Sequence, residues 1–230
     1  MRTHTSDSHT GAVLAPPGSF AAEQYQNLRL NVERLQQSRG VRVLAITSPG
    51  TNDGKTLTSI NLAAALARGP AMRVLLIDAD LRRPSVGRQL GLSDGDSGLA
   101  GAIGEGGRAL QEIARTVAGV HGLAVIPAGA MPEDVHEVLR SARFEQLLQD
   151  ARATYDYVVL DTPPLVPVCD AAVMSRLVDG LLVVVAAHET TRKQLGDALN
   201  LLDESKTLGV VFNGDTASRA AKYDAYYRRH

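Results

Sequence analysis

The sequence predicts an α/β fold, a doubly wound and mostly parallel sheet with helices on both faces. Three observations predict it. Strand-length apolar runs alternate with helical patterns from Val41 to Phe212. Most of these runs are apolar throughout, the pattern of buried strands rather than half-exposed ones. Several end in a glycine loop or a carboxylate, and ligands of open α/β sheets bind at the C-terminal ends of strands.

Composition sets the outer bounds. A chain of 230 residues is long enough to bury a sizeable core, and 44% hydrophobic with 21% charged residues is ordinary for a globular domain. Net charge is −1, so no global field favours nucleic acid or a membrane surface. Cys169 is the single cysteine, which excludes an internal disulfide. No apolar run approaches the roughly 20 residues of a membrane span, and the N-terminus lacks a signal-peptide core. A cytoplasmic location is expected, at the inner face of the membrane only through a partner.

Residues 1–19 are small and polar with a Pro-Pro pair, and are expected to be a mobile leader. Helical periodicity begins at Phe20 and runs to Gln37, with Glu23, Gln26 and Arg29 on successive turns of one face. Val41–Ile46 reads as the first strand, followed by Ser-Pro-Gly-Thr-Asn-Asp-Gly and then Lys55-Thr56 at the start of a helix. Strand, turn-forming loop, Gly-Lys-Thr and helix make a phosphate cradle. Backbone N–H groups of Gly50, Thr51, Asn52, Asp53 and Gly54 and of the helix start at Lys55, Thr56 and Leu57 are candidates to face an anion. Lys55 supplies a full positive charge, and the Thr56 hydroxyl is a candidate Mg²⁺ ligand. The usual pattern is G-x-x-x-x-G-K-[ST], and Pro49 holds its first glycine position. A solvated loop with an exposed lysine is the plain alternative.

Met72–Ile77 is a second strand, ending in Asp78-Ala-Asp80-Leu-Arg82-Arg83-Pro84. A charge at Asp78, closing an apolar run, is costly unless a cation or hydrogen bonds compensate it. Leu90–Gly107 suggests one or two short helices and loops. Gly122–Ile126 is a third strand, and Asp134–Tyr155 reads as one long helical stretch. Tyr157–Leu160 delivers Asp161, the form of a Mg²⁺-linked acid, and Pro163-Pro164 then take the chain out of the sheet. A helix over Asp170–Leu177, a strand over Leu181–Ala187, a helix over Arg192–Leu202 and a strand over Leu208–Phe212 complete the alternation. Residues 20–215 thus form one domain. Residues 216–230 have no apolar periodicity, yet hold Tyr223, Tyr226 and Tyr227 among Arg219, Lys222, Arg228 and Arg229. A flexible tail is expected there.

From Phe20 to Gly214 the sequence resembles the cytoplasmic domain of the bacterial protein-tyrosine kinases, the BY-kinases of capsular and exopolysaccharide biosynthesis. Three motifs carry the likeness. TSPGTNDGKTLTSINLAAALA is similar to the family's Walker A loop and helix, VLLIDADLRRP to its Walker A′ motif, and YDYVVLDTPPLVPVCDA to its Walker B segment. The resemblance implies a P-loop NTPase that transfers the ATP γ-phosphate to tyrosines, with Tyr223, Tyr226 and Tyr227 as autophosphorylation sites. It implies that Lys55 contacts the terminal phosphates, that Thr56, Asp80 and Asp161 hold Mg²⁺, and that Asp78 accepts the tyrosine proton. Arg82 would organise the site or a subunit interface, and Asn213 would lie against adenine. A transmembrane activator of the polysaccharide co-polymerase type is the implied partner, with no nucleic acid. The family's ring-forming helix carries E-x-x-R-x-x-R where this chain has Glu23, Gln26 and Arg29, so ring assembly is in question. Phosphorylation would reverse the charge attraction between the basic tail and the carboxylates, and is expected to release the tail and dissociate any oligomer.

Two other readings compete. A partition- or septum-site ATPase switch would carry a lysine four residues before Gly54, and that position is Gly50. A non-catalytic nucleotide-binding partner of an export complex would not need Asp78, Asp80 and Asp161 together.

Overall fold

The computed structural model describes residues 14–92, 98–104, 107–166, 168 and 170–215. The expected leader up to Val13 and the tail from Thr216 lie outside these residues, as does Cys169. Seven strands form one sheet in the order β3-β4-β2-β5-β1-β6-β7. These are β1 (Val43–Thr47), β2 (Val74–Asp78), β3 (Arg115–Thr116), β4 (Leu123–Ile126), β5 (Tyr157–Asp161), β6 (Gly180–Ala186) and β7 (Thr207–Asn213). All neighbours are parallel except β3 and β4. Parallel strands need crossovers, which explains the alternation read from the sequence.

The central strands are apolar throughout because both faces are covered. Val43, Ala45, Leu75, Ile77, Val158 and Leu160 point to one core, closed by Phe144, Leu147 and Leu148. Leu44, Ile46, Val74, Leu76 and Val159 point to the other, closed by Ile60, Leu62, Leu66 and Val32. The helices on that second face are α1 (Phe20–Arg39) and α2 (Lys55–Ala67). α2 buries every residue but Lys55 and Leu57, since it lies between the sheet and α1. Ser19 caps α1 by accepting the Ala22 N–H, and Ala15 donates its N–H to Asn61 of α2 at 2.7 Å.

Short helices follow at α3 (Val86–Gln89), α4 (Leu99–Ile103) and α5 (Leu110–Ile113). The expected long helix over Asp134–Tyr155 is two, α6 (Val135–Arg140) and α7 (Ala142–Thr154). Ser141 breaks it with an extended backbone (φ −68°, ψ 145°), its hydroxyl accepting the Phe144 N–H and capping α7. Serine favours that non-helical cap over a helix interior. α8 (Asp170–Met174) and α9 (Arg192–Leu199) complete the layers. β3 was not foreseen, because two exposed residues carry no hydrophobic period. β7 is an edge strand, which leaves Phe212 71% exposed. Among the described residues no helix is long and apolar enough to cross a membrane.

Candidate active site

The register of the sheet brings the site together. Ile46 of β1 lies opposite Asp161 of β5, and Asp161 lies opposite Asp78 of β2, so three strands end at one level. The loop from Ser48 to Gly54 caps that level. Asn52 (φ 69°) and Gly54 (φ 90°) both adopt the left-handed conformation, which turns successive amides inward in the manner of an anion nest. A Cβ at Gly54 would collide with the side-chain amide of Asn213, so glycine is required on two counts.

The loop is braced from both sides. Asp53 accepts the Gly50 N–H at 2.8 Å through one carboxylate oxygen and the Thr190 hydroxyl at 2.7 Å through the other. Asn213 donates its side-chain N–H to the Asp53 carbonyl at 3.1 Å. Pro49 takes part through its carbonyl, which accepts the Val166 N–H. The Asp53 and Asn213 side chains are therefore struts of the loop in this conformation. Gly50, Thr51 and Asn52 contribute backbone, and Leu57 lines the cleft beside the cradle.

Beneath the loop, Lys55 Nζ lies 3.3 Å from Asp80, whose other oxygen accepts the Arg83 N–H at 3.0 Å. Thr56 donates to Asp161 at 2.6 Å, and Ser59 donates to its second oxygen at 2.9 Å. Asp161 is fully buried. Burial pushes its carboxyl up to about 6, against the lowering effect of Thr56, Lys55 and Ser59. Asp78, also fully buried, is pushed up to about 7, first by burial and next by the charge of Asp161. One Asp78 oxygen accepts the N–H groups of Ser85 and Val86 at 3.0 and 2.9 Å. Asp78 thus faces its own loop, and Asp80 is the carboxylate that lines the cleft.

Arg82 is placed at the side of this cleft, held by Asp170 through two hydrogen bonds of 2.7 and 3.3 Å. His136 completes the group, 3.3 Å from Arg82 through Nε2 and 3.2 Å from Asp170 through Nδ1. Sequence reasoning missed His136, Ser59 and Thr190, and only Ser59 carried a usable signal. Ser59, one turn beyond Lys55 on α2, had a helical spacing that pointed to it.

The cleft encloses about 640 Å³. Its donors at the Thr56 end are a hydroxyl and carboxylates, all hard oxygens, which fits Mg²⁺ held by one or two carboxylates with waters and phosphates. Among the described residues no group of three or more His, Cys, Asp or Glu side chains makes an all-protein metal cage, and this ion does not need one. On α1, Arg29 reaches the Ala65 carbonyl and Glu33 of its own chain. The three tyrosines of the tail lie outside the described residues.

The AAA domain family model matches residues 41–208. Tyrosine-protein kinase YwqD of Bacillus subtilis (strain 168) is 33% identical over 215 residues, 93% of this chain and 89% of that protein. Succinoglycan biosynthesis transport protein ExoP of Rhizobium meliloti (strain 1021) is also 33% identical, but the chain spans only 27% of its length. The kinase domain of the Escherichia coli tyrosine kinase ETK superposes with a TM-score of 0.84 at 32% identity, covering 95% of this chain and 85% of that one. A ParA family ATPase from Chlorobium tepidum TLS shares the fold alone, at 21% identity and a TM-score of 0.62 over 80% and 81% of the two chains.

Proposed function

Since this chain belongs to the bacterial tyrosine-protein kinases within the AAA domain family, we propose that it transfers the γ-phosphoryl group of Mg²⁺-bound ATP to protein tyrosines, its own tail included. One observation carries the reading: Lys55, Thr56, Asp80 and Asp161, drawn from three segments of the chain, converge at one level under a loop built to face an anion.

Transfer forms a bond from the tyrosine oxygen to phosphorus and breaks the bond from the β,γ-bridging oxygen. Such a reaction needs positioning and charge compensation more than covalent help from the protein. The amides from Gly50 to Leu57 cradle the phosphates, and Lys55 balances charge on the terminal ones. Thr56, Asp80 and Asp161 would hold Mg²⁺. A bound Mg²⁺ supplies charge neutralisation at the phosphate oxygens. Asp78, whose carboxyl is raised by burial and by the charge of Asp161, is the candidate acceptor for the tyrosine proton. In the described conformation Asp80 lines the cleft and Asp78 does not.

A transmembrane activator, and a role in capsular or exopolysaccharide synthesis, rest on the family and on ExoP, of which this chain spans only part. The test is incubation with Mg-ATP followed by intact mass and peptide mapping, beside Lys55→Met. Phosphate on Tyr223, Tyr226 or Tyr227 that disappears in the variant supports the kinase reading. ATP turnover without protein phosphate, alone and with the activator, would support the switch instead.

A further inference from the structure

The kinase reading assigns no residue that recognises the acceptor polypeptide, and charge accounting around the cleft points to one side of it. Four cations line the cavity: Lys55, Arg82, Arg83 and Arg88. Two are matched, Lys55 by Asp80 and Arg82 by Asp170. Among the described residues, Arg83 and Arg88 have neither an ion pair nor a side-chain hydrogen bond, and both are exposed. Unmatched guanidiniums on a convex surface are simply solvated. Here they line a concave cleft beside the reacting groups.

The segment that carries them is also tied to the catalytic carboxylates. The Arg83 N–H donates to Asp80, and the Ser85 and Val86 N–H groups donate to Asp78. An anion held by Arg83 and Arg88 would therefore sit in a fixed relation to the site of transfer. Pro163 and Pro164 also line the cleft and give it apolar surface against which a tyrosine ring can lie.

We propose that Arg83 and Arg88 form an acceptor subsite that selects tyrosines with an anionic group close by in the chain, either a carboxylate or a phosphate added in an earlier turnover. This rests on the kinase reading, extends it to substrate choice, and replaces the expectation that a phosphorylated tail is simply repelled, because Arg83 and Arg88 line the cleft beside its carboxylate. Guanidiniums suit both anions because their fork geometry matches carboxylate and phosphate oxygens. In the tail, Asp224 adjoins Tyr223, whereas Arg228 and Arg229 follow Tyr227. The subsite therefore favours Tyr223 first. Phosphate on Tyr223 would then supply the anion for Tyr226, about 10 Å away at full extension. Tyr227, beside two arginines, comes last.

The test separates subsite from chemistry by measuring binding as well as turnover. Fluorescence anisotropy of the peptide AAKYDAYYRRH would be compared with its phospho-Tyr223 and Asp224→Asn forms, on full-length protein with Mg-ADP. The wild type is expected to bind the phosphopeptide about tenfold tighter than the plain peptide, and the Asp224→Asn peptide several-fold weaker. Arg83→Gln/Arg88→Gln is expected to erase both differences, and Arg83→Lys/Arg88→Lys to restore part of them, with thermal melts checking that each variant is folded. An effect confined to the phosphopeptide assigns the anion to phosphate, and one confined to Asp224 assigns it to carboxylate. Equal discrimination by wild type and the glutamine variant overturns the subsite, whether or not turnover is seen. Discrimination in binding without phosphate transfer would keep the subsite and sink the kinase reading. Peptide mapping over time, with Tyr227 modified before Tyr223, would overturn the proposed order.

Discussion

The two ends of the same sheet treat carboxylate charge in opposite ways. At the N-terminal end, Asp179 accepts the N–H groups of Arg42 and Val43, both at 2.8 Å, and a two-pronged bond from Arg152 at 3.0 and 2.8 Å. Burial alone would raise its carboxyl, but those partners outweigh burial and hold it below the ordinary range. Arg42 in turn donates to the carbonyls of Tyr155 and Asp156. At the C-terminal end, Asp78 and Asp161 lie opposite each other in register, both fully buried and both raised. Lys55 is the nearest cation, and it pairs with Asp80. One end is electrostatically closed and stabilises the fold. The other holds more negative charge than the protein compensates, which is the condition of a site awaiting a cation.

This contrast can be broken at either end. The largest effect is expected from Lys55→Met, which should lower phosphate transfer by ~10²–10³-fold and also lower the melting temperature, because it leaves Asp80 unpaired, measured as phosphate incorporation beside calorimetry. Next is Asp179→Asn at the closed end. It should cost about 2–3 kcal/mol, a fall in Tm of about 4–12 °C, while activity per folded molecule is retained. A loss of activity with unchanged Tm would show that the two ends are not separate in role. Smaller and opposite in sign is Asp161→Asn. Removing one carboxylate from a crowded buried pair should raise the Tm of the nucleotide-free protein, by about 1 kcal/mol of stability, and abolish Mg²⁺-dependent nucleotide binding.

The same contrast should appear as a pH slope. Asp78 and Asp161 have folded values of about 7 and about 6, above the ordinary 3.8, so the fold binds protons that the unfolded chain releases. Stability of the nucleotide-free protein should therefore rise as pH falls from 8 toward 5, and Asp161→Asn should flatten that rise. Asp179 runs the other way. Its contribution is present above the unfolded value and is lost as pH falls through the lower folded value. Melting curves between pH 4 and pH 8 would reveal both limbs. A monotonic fall in Tm from pH 8 downward would contradict the account of the C-terminal end.

Much of this site was legible because its parts are local in sequence. Gly54-Lys55-Thr56 follows a strand within one short loop, and Asp78 and Asp161 each close an apolar run, so position at a strand end could be read directly. What could not be read was which way each carboxylate faces. Asp78 and Asp80 are two residues apart, yet one turns to the amides of Ser85 and Val86 and the other to Lys55. The break at Ser141 was hidden because the apolar residues on either side of it keep helical spacing.

The sequence by itself determined the layered α/β architecture, the phosphate-binding loop and its family, since hydrophobic period and turn chemistry act over a few residues. Only the tertiary structure decided the partners. Asp53 with Thr190, Arg82 with Asp170 and His136, and Asn213 with Gly54 are each separated by more than 50 residues. Such pairs are set by strand order and register, which place distant segments at one edge of the sheet. Side-chain direction there decides which buried charges are neutralised and which are left for a ligand.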